Sequence, residues 1–298
     1  MKNAQQSSSQ TRVCRDQLEF VRGHMSFARR TSDEEAPAAV TPDGYDIPFV
    51  DHEVTIRDAR PIVDELSLER EGFALIQHKM PCASERDPDL FKKSYLEAMV
   101  PFIKDYFNAS WVTTVDIGGV TLRSIDGNSF IGAPVSGGTD SETGKRSVKN
   151  HGAGYAHCDY APVAGPQIAA RDSQLQGIEI RSYSRLMIIQ TWRALSPPPQ
   201  DFPLAFCDGS SILSDDLVEV PQTKYGATYV AWLPYYNLSH RWYYFPNMTC
   251  DELILFNGYD SKAHYNPRSA HSAFDNRRLY PNAKPRESVE TRFYVYYD

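Results

Sequence analysis

The 298-residue sequence has no apolar run of 18 residues, no CxxC pair and no excess of basic side chains. Without such a run there is no candidate membrane-spanning helix, and the opening MKNAQQSSSQTR lacks the apolar stretch of a secretory signal. The expected location is therefore cytoplasmic. The five cysteines, Cys14, Cys82, Cys158, Cys207 and Cys250, are odd in number and scattered, which argues for free thiols in a reducing compartment. With 31 basic against 38 acidic residues and a net charge of −7, no positive field is available for nucleic acid or an anionic membrane. The expected partner is a small-molecule substrate, with no nucleic acid and no membrane; the oligomeric state is not legible at this level. No internal repeat of the solenoid kind is present.

What is present favours strands. Aromatic residues make up 12%, chiefly 18 Tyr and 14 Phe, and 20 Pro accompany 17 Gly. Residues 1–40, with QQSSSQ and SDEEAPAA, read as a flexible N-terminal tail holding at most one short helix at Asp16–Phe27. Residues 41–298 read as a single domain. VTIRDAR and GFALIQH alternate as strands, and residues 87–108 read as a helix. In that segment Leu90, Phe91, Tyr95, Met99, Phe102, Ile103 and Phe107 recur at helical spacing, Asp87 or Asp89 offers a cap, and Pro101 should bend or divide it. WVTTVDI and GVTLRSI read as a hairpin, followed by a Gly/Ser-rich loop. Everything later reads as short strands between turns, from GYAHCDY to SVETRFYVYY, which predicts an antiparallel barrel or sandwich with the helix packed outside it.

The sharpest chemical signal is His157-Cys158-Asp159. In a strand, residues i and i+2 share a face, so His157 and Asp159 project together while Cys158 turns away. With one distant histidine they make two imidazoles and a carboxylate, the ligand set that leaves positions open on non-haem Fe(II). His271 is the expected third ligand, with His264 its rival. Further on, Arg286 and Ser288 share a strand face and together suit the distal carboxylate of 2-oxoglutarate. Arg292 lies on the same face and is the alternative anchor. The order H-x-D, long gap, H, short gap, R-x-S is more informative than any of its parts.

Other candidates have bland alternatives. Gln190 and Trp192 share a face of one central strand and could line the pocket, Gln190 beside the co-substrate and Trp192 beside the substrate, though a packed Trp is equally natural. Tyr160 and Tyr236 are candidates to border the substrate. His240, among Trp and Tyr, reads as a hydrogen-bonded core residue, and His151 as exposed.

The text from residue 45 onward resembles the CmcJ/AsaB-like hydroxylase/desaturase family, non-haem iron enzymes of natural-product pathways. The resemblance rests on HEVTIRDAR (52–60), GFALIQH (72–78), HCDY (157–160), the Trp192-Arg193 strand, PLAFCD (203–208), HRWYYFPNM (240–248), DELILFNGYDS (251–261), HSAFDN (271–276) and PRESVETR (285–292). It implies a mainly β fold with flanking helices, a double-stranded β-helix (cupin-like jelly roll). It also implies Fe(II), 2-oxoglutarate and O2 as cofactor and co-substrates, and oxidation of a small metabolite by hydroxylation, desaturation or oxidative cyclisation. His157, Asp159 and His271 are then the metal ligands, and Arg286 with Ser288 the keto-acid clamp. The GGVTLRS segment (118–124) departs from the family pattern, which implies an unusual substrate. Two other readings stand beside this one: an accessory binding protein working with a tailoring enzyme such as a methyltransferase, and a cupin-type isomerase using zinc or manganese without a keto acid.

Overall fold

The computed structural model describes residues 13–30, 49–81, 84–85, 87–114, 120–123, 154–224, 227–262 and 268–298. In chain order the strands and helices are β1 (Phe20–Ala28), β2 (Phe49–Asp58), β3 (Phe73–Gln77), α1 (Pro88–Tyr106), β4 (Trp111–Thr114), β5 (Thr121–Arg123), α2 (Ala164–Leu175), β6 (Arg185–Ala194), β7 (Leu204–Cys207), β8 (Leu217–Lys224), β9 (Ala227–Pro234), β10 (Trp242–Tyr244), β11 (Glu252–Asp260), β12 (His271–Ala273) and β13 (Ser288–Tyr297).

Two sheets face each other as a jelly roll. One has the order β1-β2-β10-β7-β12; the other runs β3-β11-β6-β13-β4, with β5 also paired to β13, while β8 and β9 form a separate ribbon. Nine of the ten residues of β6 are buried, because both of its faces are covered. Outside, Met187 and Ile189 meet Phe91, Tyr95, Met99 and Ile103 of α1. Inside, Trp192 and Ala194 meet Phe206 and Tyr243 of the opposite sheet. Phe73 stacks on Phe206 at 5.1 Å, and Phe206 meets Phe256 edge-on at 5.2 Å, so aromatic rings fill the space between the layers.

The inner face of β6 and β13 has a pattern that places the site. The register pairs Ala194 with Ser288, Trp192 with Glu290, Gln190 with Arg292, Ile188 with Tyr294 and Leu186 with Tyr296. At one end this face belongs to the Trp192 cluster; at the other, Ile188, Leu186, Tyr294 and Tyr296 pack against Ala164, Ile168 and Ala169 of α2. Gln190 and Arg292 form a polar rung between two apolar blocks.

Helix α1 follows the sequence reading. Asp87 caps it, its side chain accepting from Asp89 N at 3.0 Å and Leu90 N at 2.9 Å. Pro101 does not divide it: the helix is continuous, with Pro101 exposed while Met99 and Ile103 hold the other side to the sheet.

Three expectations are corrected. Residues 20–28 are neither tail nor helix but strand β1, paired antiparallel with β2 from Phe20↔Arg57 to Ala28↔Phe49. Met25 and Phe27 are buried there at period two, and only a strand turns both inward. β4 and β5 are not a hairpin: β4 pairs with Phe293–Tyr296 and β5 with Ser288–Glu290, in line along one side of β13. α2 stands where strand or loop was expected; Gly165 lets it close on β11, since a Cβ there would lie 2.4 Å from the Tyr259 ring. The Gly/Ser-rich loop, His151 and His264 lie outside the described residues.

Candidate metal centre

Residues 154–160 run extended without joining a long strand. His157 forms an antiparallel bridge with His271 and Cys158 one with Trp232. Alternation along this segment sends Cys158 to the cluster of Met25, Phe27 and Trp242. His157 turns to the other side, where its ring centroid lies 4.3 Å from that of His271. His271 stands at the start of β12, opposite Phe206 of β7, and its ring is bedded against Phe206 and Phe256.

His157, Asp159 and His271 each offer a ligand atom, and these atoms lie within 4.8 Å of one another. The two imidazoles are held the same way. Nδ1 of His157 lies 3.0 Å from the Tyr155 carbonyl oxygen and Nδ1 of His271 2.9 Å from that of Ser269. A carbonyl only accepts, so each Nδ1 carries the hydrogen and each Nε2 is left with its lone pair for a metal. Burial, with the neighbouring His271, pushes the His157 pKa down to about 4, so at neutral pH it is an uncharged imidazole. The 3.5 Å separation of His157 Nε2 and Asp159 Oδ1 is then a gap between two electron-pair donors rather than an ion pair.

Asp159 is the opposite case. Burial opposes its charge, but Arg292, by its charge and its hydrogen bond, outweighs burial and holds the carboxyl well below its usual range. Arg292 Nη2 donates to Asp159 Oδ2 at 2.8 Å and to Glu290 Oε1 at 2.9 Å. Gln190 Nε2 also donates to Asp159 Oδ2. Burial opposes the Arg292 charge as well; Tyr160, Asp159 and Glu290 around it raise its pKa well above the ordinary value. Two imidazoles and one ionised carboxylate, with the neighbouring thiol turned away, are a donor set that fits Fe(II).

The residues also fit a keto acid. Arg286 is buried, its guanidinium lying 5.8 Å over the Trp192 ring while Nη1 donates to the Phe202 carbonyl at 2.8 Å. Ser288 Oγ is buried and has no hydrogen-bond partner among the described residues. A buried hydroxyl without a partner, two residues along the chain from a buried guanidinium, is a site that a bound carboxylate would complete.

The remaining candidates sit as follows. Gln190 donates its amide nitrogen to Asp159. Trp192 lies in the packed core beneath Arg286. Tyr160 is buried against α2, with Tyr229 at 6.0 Å. Tyr236 stacks on His52 at 3.9 Å and meets Phe27 edge-on at 5.4 Å, packed against the cluster that holds Cys158. His240 is structural, as its context implied, with Nε2 3.1 Å from Asp216 Oδ2. Glu290 escaped the sequence reading; its signal is the alternation Arg286, Ser288, Glu290, Arg292, which puts it on the anchor face.

Comparisons with known proteins point the same way. The Fe(II)/2-oxoglutarate-dependent dioxygenase nvfI of Aspergillus novofumigatus is 28% identical over 82% of this chain and 83% of its own length. The hydroxylase/desaturase efuI of Hormonema carpetanum is 29% identical over 82% of this chain and 83% of its own. Among solved structures, the iron and alpha-ketoglutarate-dependent endoperoxidase NvfI in one conformation superposes with a TM-score of 0.71 at 25% identity, over 93% of this chain and 97% of that one. A family model described as YDMC, oxidoreductase/YMDC permease-like domain, matches residues 25–296, nearly the whole sequence, and the chain belongs to that family.

Proposed function

We propose that the protein is an Fe(II)/2-oxoglutarate-dependent dioxygenase of secondary metabolism. It would oxidise an unactivated C–H bond of a small natural-product or amino-acid-derived substrate by hydroxylation, desaturation or ring formation. The observation that carries this reading is the convergence of His157, Asp159 and His271, with ligand atoms within 4.8 Å of one another. The relatives named as dioxygenases and hydroxylase/desaturases support it.

Each residue then has a task. His157 and His271 hold the metal through Nε2, and Asp159 balances part of its charge. Arg286 and Ser288 grip the distal carboxylate of 2-oxoglutarate, and the aromatic bed of Phe206 and Phe256 keeps water from the His271 side. Fe(II) with 2-oxoglutarate and O2 supplies the oxidant for hydrogen removal. The substrate is a small molecule, the net charge of −7 disfavouring nucleic acid. A cytoplasmic setting suits the free thiols of Cys14, Cys158, Cys207 and Cys250. The catalytic unit is a single domain that starts with β1 rather than near residue 41. Among the described residues no helix is long and apolar enough to cross a membrane. The accessory-protein reading draws no support from nvfI, efuI and the alpha-ketoglutarate-dependent dioxygenase tstK, whose names are those of oxidising enzymes.

The test is anaerobic titration of Fe(II) with 2-oxoglutarate, followed by succinate release in air over a panel of natural-product and amino-acid substrates. A weak visible charge-transfer band and substrate-dependent succinate are expected, and both should vanish in His157→Ala. A His157→Ala variant that consumes 2-oxoglutarate at the wild-type rate would refute the assignment.

A further inference from the structure

The two oxygens of Asp159 are not equivalent. Oδ2 receives hydrogen bonds from Gln190 Nε2 and Arg292 Nη2, while Oδ1 lies on the His157 side, 3.5 Å from Nε2. Two donors occupy the two lone-pair directions of Oδ2. Oδ1 alone retains electron pairs directed toward the imidazoles.

Both donors are themselves fixed. Gln190 and Arg292 are directly paired across β6 and β13, each in the interior of its strand. Arg292 Nη2 is also held by Glu290 Oε1 at 2.9 Å. Gln190 is positioned from the other neighbouring strand. The β6–β11 register slips between Asn257 and Tyr259, a bulge centred on Gly258. A Cβ at Gly258 would lie 2.7 Å from Gln190 Oε1 and 2.9 Å from Tyr160 Cδ2. The missing side chain is therefore the space in which the Gln190 carbonyl end rests, which leaves its NH2 end aimed at Asp159.

We infer that Gln190 and Arg292 are positioning residues that pin Oδ2 of Asp159, so that the carboxylate holds the metal through Oδ1 alone, with the Gly258 bulge setting the Gln190 amide. This rests on the proposed Fe(II) centre and adds to it. Neither residue is among the three candidate ligands. A carboxylate held by one oxygen leaves one more coordination position for keto acid and O2 than a carboxylate that swings to offer both.

The experiment measures metal binding directly. Wild type, Gln190→Leu, Arg292→Met, Arg292→Lys and Gly258→Ala are compared by anaerobic Fe(II) calorimetry and by the visible absorption of the Co(II) form, whose intensity follows coordination number. Thermal unfolding of the metal-free proteins reports folding. Gln190→Leu and Arg292→Met should weaken Fe(II) binding by about 10–100-fold and alter the Co(II) intensity; Arg292→Lys, which keeps one donor, should lie between. Gly258→Ala should reproduce Gln190→Leu, and if it fails to fold, Gln190→Leu carries the test. A folded Gln190→Leu protein with wild-type Fe(II) affinity and an unchanged Co(II) spectrum would overturn the inference while leaving the metal centre intact. Wild-type protein that binds no Fe(II) would remove both.

Discussion

His157 and His271 face each other as a hydrogen-bonded backbone pair. His157 N donates to the His271 carbonyl at 3.1 Å, and His271 N donates to the His157 carbonyl at 2.9 Å. The main chain fixes the distance between the two imidazoles before any metal arrives. A side-chain replacement removes a ligand without removing the bridge. His271→Asn should therefore keep the circular dichroism of the metal-free wild type while losing Fe(II) binding in calorimetry.

The low His157 pKa makes the metal-free protein sensitive to mild acid. The unfolded chain takes up a proton as the pH falls through 6.5, whereas folded His157 does so only near 4. Within that window the unfolded state binds more protons, so stability falls as the pH is lowered, by about 3 kcal/mol for this group. His78 and His240, whose values burial also lowers, act in the same sense. The loss should thus be smaller in His157→Gln, measured by urea unfolding at pH 7 and pH 4.5.

The proposed keto-acid clamp can be probed with little disturbance of the fold. Ser288 Oγ has no partner among the described residues, so Ser288→Ala costs the metal-free protein little. A lost hydrogen bond to a charged group should raise the KM for 2-oxoglutarate by roughly 10-fold or more. Equal KM values for variant and wild type would exclude Ser288 from the clamp.

Arg193, on the outer face of β6, separates stability from function. It is fully buried, and its Nη1 donates to the carbonyls of His78 and Cys250, the former at 2.9 Å. Arg193→Met takes the donor from two carbonyls of half-buried residues, a loss of roughly 1–3 kcal/mol. The urea midpoint should fall accordingly, while Fe(II) affinity of the folded protein stays at the wild-type value because the triad lies on the inner face.

Much of this site was legible from spacing. H-x-D on an extended segment places His157 and Asp159 together, and the HSAF context marked His271, since both depend on local alternation. The rest depends on register. That Gln190 reaches Asp159 follows from its pairing with Arg292 and the slip at Gly258, neither of which has a local signature. β1 carries its alternation plainly at Val21, Met25 and Phe27, but Gly23 and the polar residues between them obscure it within a Ser/Gln-rich neighbourhood. α2 starts without a side-chain cap, so nothing local announces it.

The half-turn alternation at His157-Cys158-Asp159 has a consequence for metal choice. A thiolate among the ligands would favour zinc or copper(I) over Fe(II). Placing Cys158 on the opposite side of the backbone, where burial raises its pKa to about 12, keeps sulfur out of the coordination sphere although it is the nearest side chain in sequence. Selectivity between competing ions is thereby written into the parity of a three-residue stretch.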